Sequence, residues 1–189
     1  NWFAPEGTPQ EDHWSFRRSG WFEHVGNEVR HTAEHAGLLD MTAFAKCRIS
    51  GPGAEAFLDR LTANKLPKGI GRVSLSHALT ERGGVHSEYT IQRESADSFY
   101  VVSAGAGQRL DHDWIKKHMP DDGSVRFDNL TNSIGVLVLA GPKSRDILQK
   151  LTRTDLSNEG FPWLSSRLID VNMAPAMAFR MNYVGELGW

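Results

Sequence analysis

The sequence predicts an α+β fold, and three observations predict it. A strand–turn–helix unit occurs twice, the stretch between the copies is rich in strand patterns, and the chain closes in a glycine-punctuated turn leading out of a strand. The first copy, Ser50-Gly51-Pro52-Gly53-Ala54-Glu55-Ala56-Phe57-Leu58-Asp59-Arg60-Leu61-Thr62, recurs ninety positions on as Ala140-Gly141-Pro142-Lys143-Ser144-Arg145-Asp146-Ile147-Leu148-Gln149-Lys150-Leu151-Thr152. Each copy follows an apolar strand, turns at Gly-Pro and enters a short amphipathic helix. Phe57, Leu58 and Leu61 form the apolar face of the first helix; Ile147, Leu148 and Leu151 form that of the second. Proline suits a helix start, where its missing N–H has no intrahelical partner. Two copies are too few for a solenoid, so the pair points to packed α and β layers.

The remaining elements follow in order. Apolar spacing predicts a helix from about Glu23 to Ala36 and a strand around Lys46-Cys47-Arg48-Ile49. Val85 to Arg93 and Ser98 to Ser103 read as a hairpin around the polar cluster Glu94-Ser95-Ala96-Asp97. Gly105 to His118 reads as a helix with Leu110, Trp114 and Ile115 on its buried face, stopped by Pro120-Asp121-Asp122-Gly123. Val125 to Leu130 and Ile134 to Leu139 read as strands, the second buried on both faces. A late strand runs from Ala174 to Tyr183. The sheet-rich part falls between about 45 and 135, within a mixed α/β frame.

Composition excludes several classes of partner. With 189 residues, 40% hydrophobic and 23% charged, the chain can bury a sizeable core. A net charge of −2 gives no footprint for nucleic acid or an anionic membrane. No apolar run reaches the length of a membrane span, and no basic-then-apolar leader precedes the rest. The single Cys47 cannot pair internally; it reads as a structural cysteine on a half-buried strand in a reducing compartment.

The end of the chain, Tyr183-Val184-Gly185-Glu186-Leu187-Gly188-Trp189, resembles the Tyr-Thr-Gly-Glu-x-Gly-Tyr motif of the glycine-cleavage aminomethyltransferases and of the folate-binding halves of dimethylglycine and sarcosine dehydrogenases. Gly37-Leu38-Leu39-Asp40-Met41-Thr42 is similar to that family's Gly-x-x-Asp-x-Ser stretch. Leu79-Thr80-Glu81-Arg82-Gly83-Gly84-Val85 is similar to its Leu-Asn-x-x-Gly-Gly-x run, with Thr80 in place of Asn. Leu139-Ala140-Gly141-Pro142 is similar to its strand closing in Gly-Pro. The four motifs stand in the family's order. The opening, Asn1-Trp2-Phe3-Ala4 with Ser15-Phe16-Arg17-Arg18 and Trp21-Phe22-Glu23, resembles the dehydrogenases more than the free-standing transferase.

The resemblance implies a tetrahydrofolate site. It places a carboxylate near N5 of the pterin at Glu88, in Gly83-Gly84-Val85-His86-Ser87-Glu88, where the transferases carry Asp. It assigns pterin contact to Tyr183 and apolar walls to Leu79 and Val101. Leu75 stands where the transferases often have Tyr, and Ser103 where they often have Asn. The resemblance implies that residues 1–22 link to an upstream FAD domain and that 23–189 form part of the folate-binding domain. It also implies C-terminal truncation, because the acid that pairs with the pterin edge in the family follows the final aromatic. Folate binding by the chain alone is therefore expected to be weak, and its terminal strand is expected to lack a partner. The family implies a bacterial cytoplasm or a mitochondrial matrix as the compartment.

Other readings stay open. His31-Thr32-Ala33-Glu34-His35 fits a His-x-x-Glu-His zinc pattern, but a third ligand is lacking, and His77, His86, His112 and His118 form no metal spacing. Gly105-Ala106-Gly107 lacks the rest of a dinucleotide-binding fingerprint. A glycine-cleavage aminomethyltransferase, or a non-catalytic relative acting through protein contacts, shares the fold.

Overall fold

The computed structural model describes residues 2, 4–183 and 185–189; Asn1 and Phe3 of the opening segment and Val184 of the closing motif lie outside them. At its centre is a five-stranded antiparallel sheet built from β2 (Ala45–Ser50), β3 (Val73–Leu79), β4 (Val85–Arg93), β5 (Ser98–Ser103) and β6 (Arg126–Asn129). Their spatial order is β3-β4-β5-β2-β6. The β4–β5 hairpin forms around 94–97 as its turn residues predict, with Glu94 N–H donating to the Ser98 carbonyl at 2.8 Å.

Alternation along these strands sorts side chains to two faces. Cys47, Ile49, Tyr89, Ile91, Phe99 and Val101 point to one face, where helix α2 (Ala54–Leu61) contributes Phe57 and Leu58 and helix α3 (Gln108–His118) contributes Ile115. Each such side chain, fully buried, is worth about 1.5–3 kcal/mol. The other face is covered at one end by the hairpin of β8 (Ser165–Val171) and β9 (Ala174–Arg180). There Gln92 Nε2 donates to Ser166 Oγ at 2.7 Å, and the Tyr100 and Phe179 rings lie 6.0 Å apart. The opposite end of this face stays open.

A second sheet pairs β1 (Gly37–Asp40) with β7 (Leu137–Ala140), beside α1 (Phe22–Glu34) and α4 (Ser144–Gln149). The closing glycine run does not hang free, contrary to expectation. Leu139 and Trp189 exchange both backbone hydrogen bonds at 2.9 Å, and Gly141 N–H donates to the Leu187 carbonyl at 2.8 Å. Trp189 thereby enters a smaller core with Leu148, Leu156, Phe161 and Ile169. No helix of the described residues is long and apolar enough to cross a membrane.

The repeat is a structural one. Gly51 and Gly141 each follow a strand, each has positive φ (+114° and +118°), and each precedes a helix. A Cβ on Gly51 would meet the Ser124 carbonyl oxygen at 2.4 Å, and one on Gly141 the Thr32 and His35 oxygens at 2.5 and 2.6 Å. Pro52 and Pro142 sit just before their helices, since α2 begins at Ala54 and α4 at Ser144.

Three expectations are corrected. On α3 the buried residues are Asp111, His112 and Ile115, while Leu110 is exposed. Asp111 can be buried because Ser103 Oγ donates to its carboxylate at 2.6 Å. Of Ile147, Leu148 and Leu151 only Leu148 is buried; α4 has six residues, Ile147 on it is exposed, and Leu151 lies beyond its end. Strand β7 is not buried on both faces: Leu137 is exposed, because its sheet is an outlying layer.

Candidate functional site

The open end of the central sheet is where the sequence-predicted acid stands. Gly83, at φ +78°, turns the chain between β3 and β4, and Thr80 closes the turn by accepting from Gly83 N–H and donating from its own N–H to the Gly84 carbonyl, both at 2.8 Å. Just past the turn the ladder slips: Leu79 faces Val85, whereas Ala78 faces Ser87, so His86 is an extra residue. This is a β-bulge. The His86 ring stacks on Trp114 of α3 at 4.0 Å, on the core side. Beyond the bulge, alternation sends Tyr89 into the core and Glu88 to the opposite face.

Glu88 lies directly across from His77, and His77 Nε2 is 3.1 Å from Glu88 Oε2. An ionised carboxylate only accepts, so Nε2 carries the hydrogen in this contact. The Tyr183 hydroxyl, ninety-five residues away in sequence, donates to the other oxygen, Oε1, at 3.4 Å. Leu75 and Leu79 share the His77 side of β3, and both are about two-fifths exposed. The side chain of Glu88 is 39% exposed and Tyr183 80%. The arrangement is an apolar shelf with one carboxylate at its edge, held through both oxygens, and a free aromatic ring beside it. It can take a flat heteroaromatic molecule and accept a proton from it, since each carboxylate oxygen keeps a lone pair.

Of the sequence-predicted residues, Glu88, Leu79 and Tyr183 come together and Val101 does not. Val101 is buried in the core, paired with Ile91 and Cys47, on the far side of the sheet from Glu88. Its neighbour Val102, opposite Thr90, is on the Glu88 face. Ser103 likewise faces α3 and is bound to Asp111. His77 is the residue that sequence reasoning missed. Recognition of β3 as a strand would have exposed it, because the turn at Gly83 sets His77 opposite Glu88 once the bulge is counted.

Nothing comparable gathers elsewhere among the described residues. A shallow concavity of about 450 Å³ is lined by Gly105, Gln108, Arg109, His112, Asp113 and Lys116 at the start of α3, apart from the shelf. The rings of His31 on α1 and His35 just past its end stand 4.9 Å apart, but no group of three or more metal-ligating side chains is gathered among the described residues. Cys47 is 3% exposed, and burial pushes its thiol up to about 12, so it is fully rather than half buried and inert.

The chain is similar to known proteins along its whole length. Residues 1–189 match the GCVT N-terminal domain. Mitochondrial dimethylglycine dehydrogenase of Mus musculus is 37% identical over 190 residues, covering 100% of this chain and 22% of that protein. The alpha subunit of sarcosine oxidase from Rhizobium meliloti is 31% identical over 198 residues, covering 99% of this chain and 20% of that protein. The chain thus spans about a fifth of the length of these relatives. Among solved structures, the glycine cleavage system aminomethyltransferase T from Bartonella henselae superposes with a TM-score of 0.68 at 22% identity, over 86% of this chain and 43% of that one, a likeness of fold. With the match running over its whole length, this chain belongs to the GCVT N-terminal domain family.

Proposed function

We propose that the chain is the folate-binding region of a dimethylglycine/sarcosine dehydrogenase-like enzyme. In this reading an N-methyl amine is oxidised at FAD in a domain upstream, for which residues 1–22 serve as the linker. The one-carbon unit is then captured by tetrahydrofolate on the domain formed by 23–189, giving 5,10-methylenetetrahydrofolate. The observation that carries the reading is the meeting of Glu88 and Tyr183 over the Leu75–Leu79 shelf. It occurs in a chain that matches dimethylglycine dehydrogenase along its whole length.

The chemistry asked of the protein is modest. With tetrahydrofolate held here, N5 would lose a proton on bonding the iminium carbon and Glu88 would receive it; N10 would then close the bridge, its proton leaving with the demethylated amine as the carbon–amine bond breaks. A carboxylate at the shelf edge also offsets positive charge on the approaching one-carbon unit. Leu75, Leu79 and Tyr183 supply flat apolar area for the pterin. The bulge-set alternation that places Glu88 on this face keeps it off the core. A buried Cys47 suits a reducing compartment, bacterial cytoplasm or mitochondrial matrix alike.

Titration of tetrahydrofolate into the full-length protein under reducing conditions tests this. Micromolar binding by the wild type is expected, with Glu88→Gln keeping affinity within about fivefold while methylenetetrahydrofolate formation falls by roughly 10²–10⁴. A folded wild-type protein that binds no folate would remove the reading and favour a relative acting through protein contacts.

A further inference from the structure

We propose that His77 is a positioning residue that aims the Glu88 carboxylate, an inference that rests on the reading of Glu88 as the base. Three observations carry it. The first is register. His77 and Glu88 are directly opposed on β3 and β4, and side chains so placed have Cβ atoms about 4.5–5.5 Å apart. The register exists because of the bulge: continuing the Leu79↔Val85 pairing would set His77 against Ser87, whose side chain faces the core.

The second is the division of the donors. His77 Nε2 engages Oε2 and Tyr183 engages Oε1, so rotation of the carboxylate about its own axis is restrained from both sides. The Tyr183 contact is the longer, at 3.4 Å against 3.1 Å, and its ring is mostly exposed. His77 is therefore the firmer of the two holds. It is also carried on a strand, the kind of rigid element that keeps a functional group in place.

The third is the length of the acid. Glutamate has one more rotatable bond than aspartate, and here it stands on an open shelf where packing does not choose its rotamer. A base displaced by about 1 Å can lose much of its effect. A cross-strand imidazole donor restores the definition that the extra methylene removes.

The test uses the full-length protein with His77→Phe, His77→Asn and His77→Gln, alone and with Glu88→Gln, measuring tetrahydrofolate Kd and kcat for methylenetetrahydrofolate formation. His77→Phe and the short-armed His77→Asn are expected to lower kcat about tenfold with Kd within about twofold. His77→Gln, whose amide reaches as far as Nε2, is expected to recover most of the rate. On the Glu88→Gln background none of the three is expected to add a further loss. Unchanged kcat in both His77→Phe and His77→Asn, or an equal loss in the Glu88→Gln background, would overturn the positioning role while leaving the base in place. Wild-type turnover by Glu88→Gln itself would instead overturn the reading on which the inference rests. Urea midpoints of all variants separate loss of rate from loss of fold.

Discussion

Tyr183 donates to Glu88 Oε1 at 3.4 Å although ninety-five residues separate them in sequence. The strand carrying Glu88 belongs to the central sheet, while Tyr183 follows β9 of the hairpin that covers the other end of the same face. The contact ties the closing glycine run to the acid. Because the hydrogen bond is long and exposed, its hydroxyl contributes little to the free protein; the ring is the larger asset. Tyr183→Phe is accordingly expected to weaken tetrahydrofolate binding by less than about fivefold, and Tyr183→Ala by about 10–100-fold, from the roughly 1–3 kcal/mol of a stacked base. Calorimetric titration of the full-length variants checks the order.

The glycines divide into two kinds. Gly141 has φ +118°, and a Cβ there would meet three backbone atoms within 2.8 Å. Gly83 has φ +78° with nothing within 4 Å of a Cβ. Gly83→Ala is expected to cost about 1–2 kcal/mol, the left-handed penalty alone. Gly141→Ala adds overlap with backbone that cannot swing aside and is expected to cost more, at least about 3 kcal/mol. Urea unfolding of both variants gives the comparison.

Helix α3 offers a direct check on which of its residues face the core. Ile115 is 1% exposed and Leu110 58%. Ile115→Ala is expected to lose about 2–5 kcal/mol of stability. Leu110→Ala is expected to stay within about 0.5 kcal/mol of wild type. Equal losses would show that the helix is rotated from the orientation described.

Glu94 supplies a pH dependence. Burial pushes its carboxyl up, but hydrogen bonds from Arg48 and Ser98 outweigh this and hold it below the ordinary glutamate value of 4.5. A carboxyl with a depressed folded pKa stabilises the fold above its unfolded pKa and loses that contribution as pH falls through the folded one. Stability from this group is therefore expected to be full above about pH 4.5 and to decline below it. In Arg48→Met, burial acts with less opposition and the folded value moves back toward or past the unfolded one, so the decline below about pH 4.5 is expected to shrink or reverse. Urea midpoints between pH 3 and 7 read the shift, and superimposable profiles would dismiss it.

What the sequence revealed depended on whether the deciding contacts were local. The β4–β5 hairpin was legible because its four turn residues sit between its strands. Strand β3 was not, because its pattern is inverted: Ser74, Ser76 and Ala78 face the core against Tyr89 and Ile91, while Leu75 and Leu79 face outward. Strand β1 is short and exposed, and β8 pairs with a strand beyond a turn that carries Asn172 at φ +56°. On α3, buried Asp111 and His112 replaced the expected leucine, since a partner serine on β5 made the burial tolerable. Of the residues proposed for the site, Glu88, Leu79 and Tyr183 were named through family motifs, but their meeting was not visible there. Val101, named as an apolar wall by the resemblance, lies on the core face, one position of strand alternation from the shelf, and His77 was hidden because its only signal is register.

The bulge at His86 gives the segment between Gly84 and Glu88 a parity. A strand addresses its two faces by odd and even positions, and the extra residue resets that address within one stretch of chain. Val85 before it lies in solvent opposite Leu79, His86 itself turns to the helix layer, and the residues after it divide between core and shelf. Loss of the one extra residue would let the pairing run on unbroken, Leu79 with Val85, Ala78 with Ser87 and His77 with Glu88, so the carboxylate would keep its face and the bend with its His86–Trp114 stack would go. Loss of two would exceed that slack and exchange inside for outside, sending the carboxylate inward and a tyrosine into water. The count of residues from glycine turn to acid is thus a property of the fold as much as of the chemistry, and the bulge is where that count has slack.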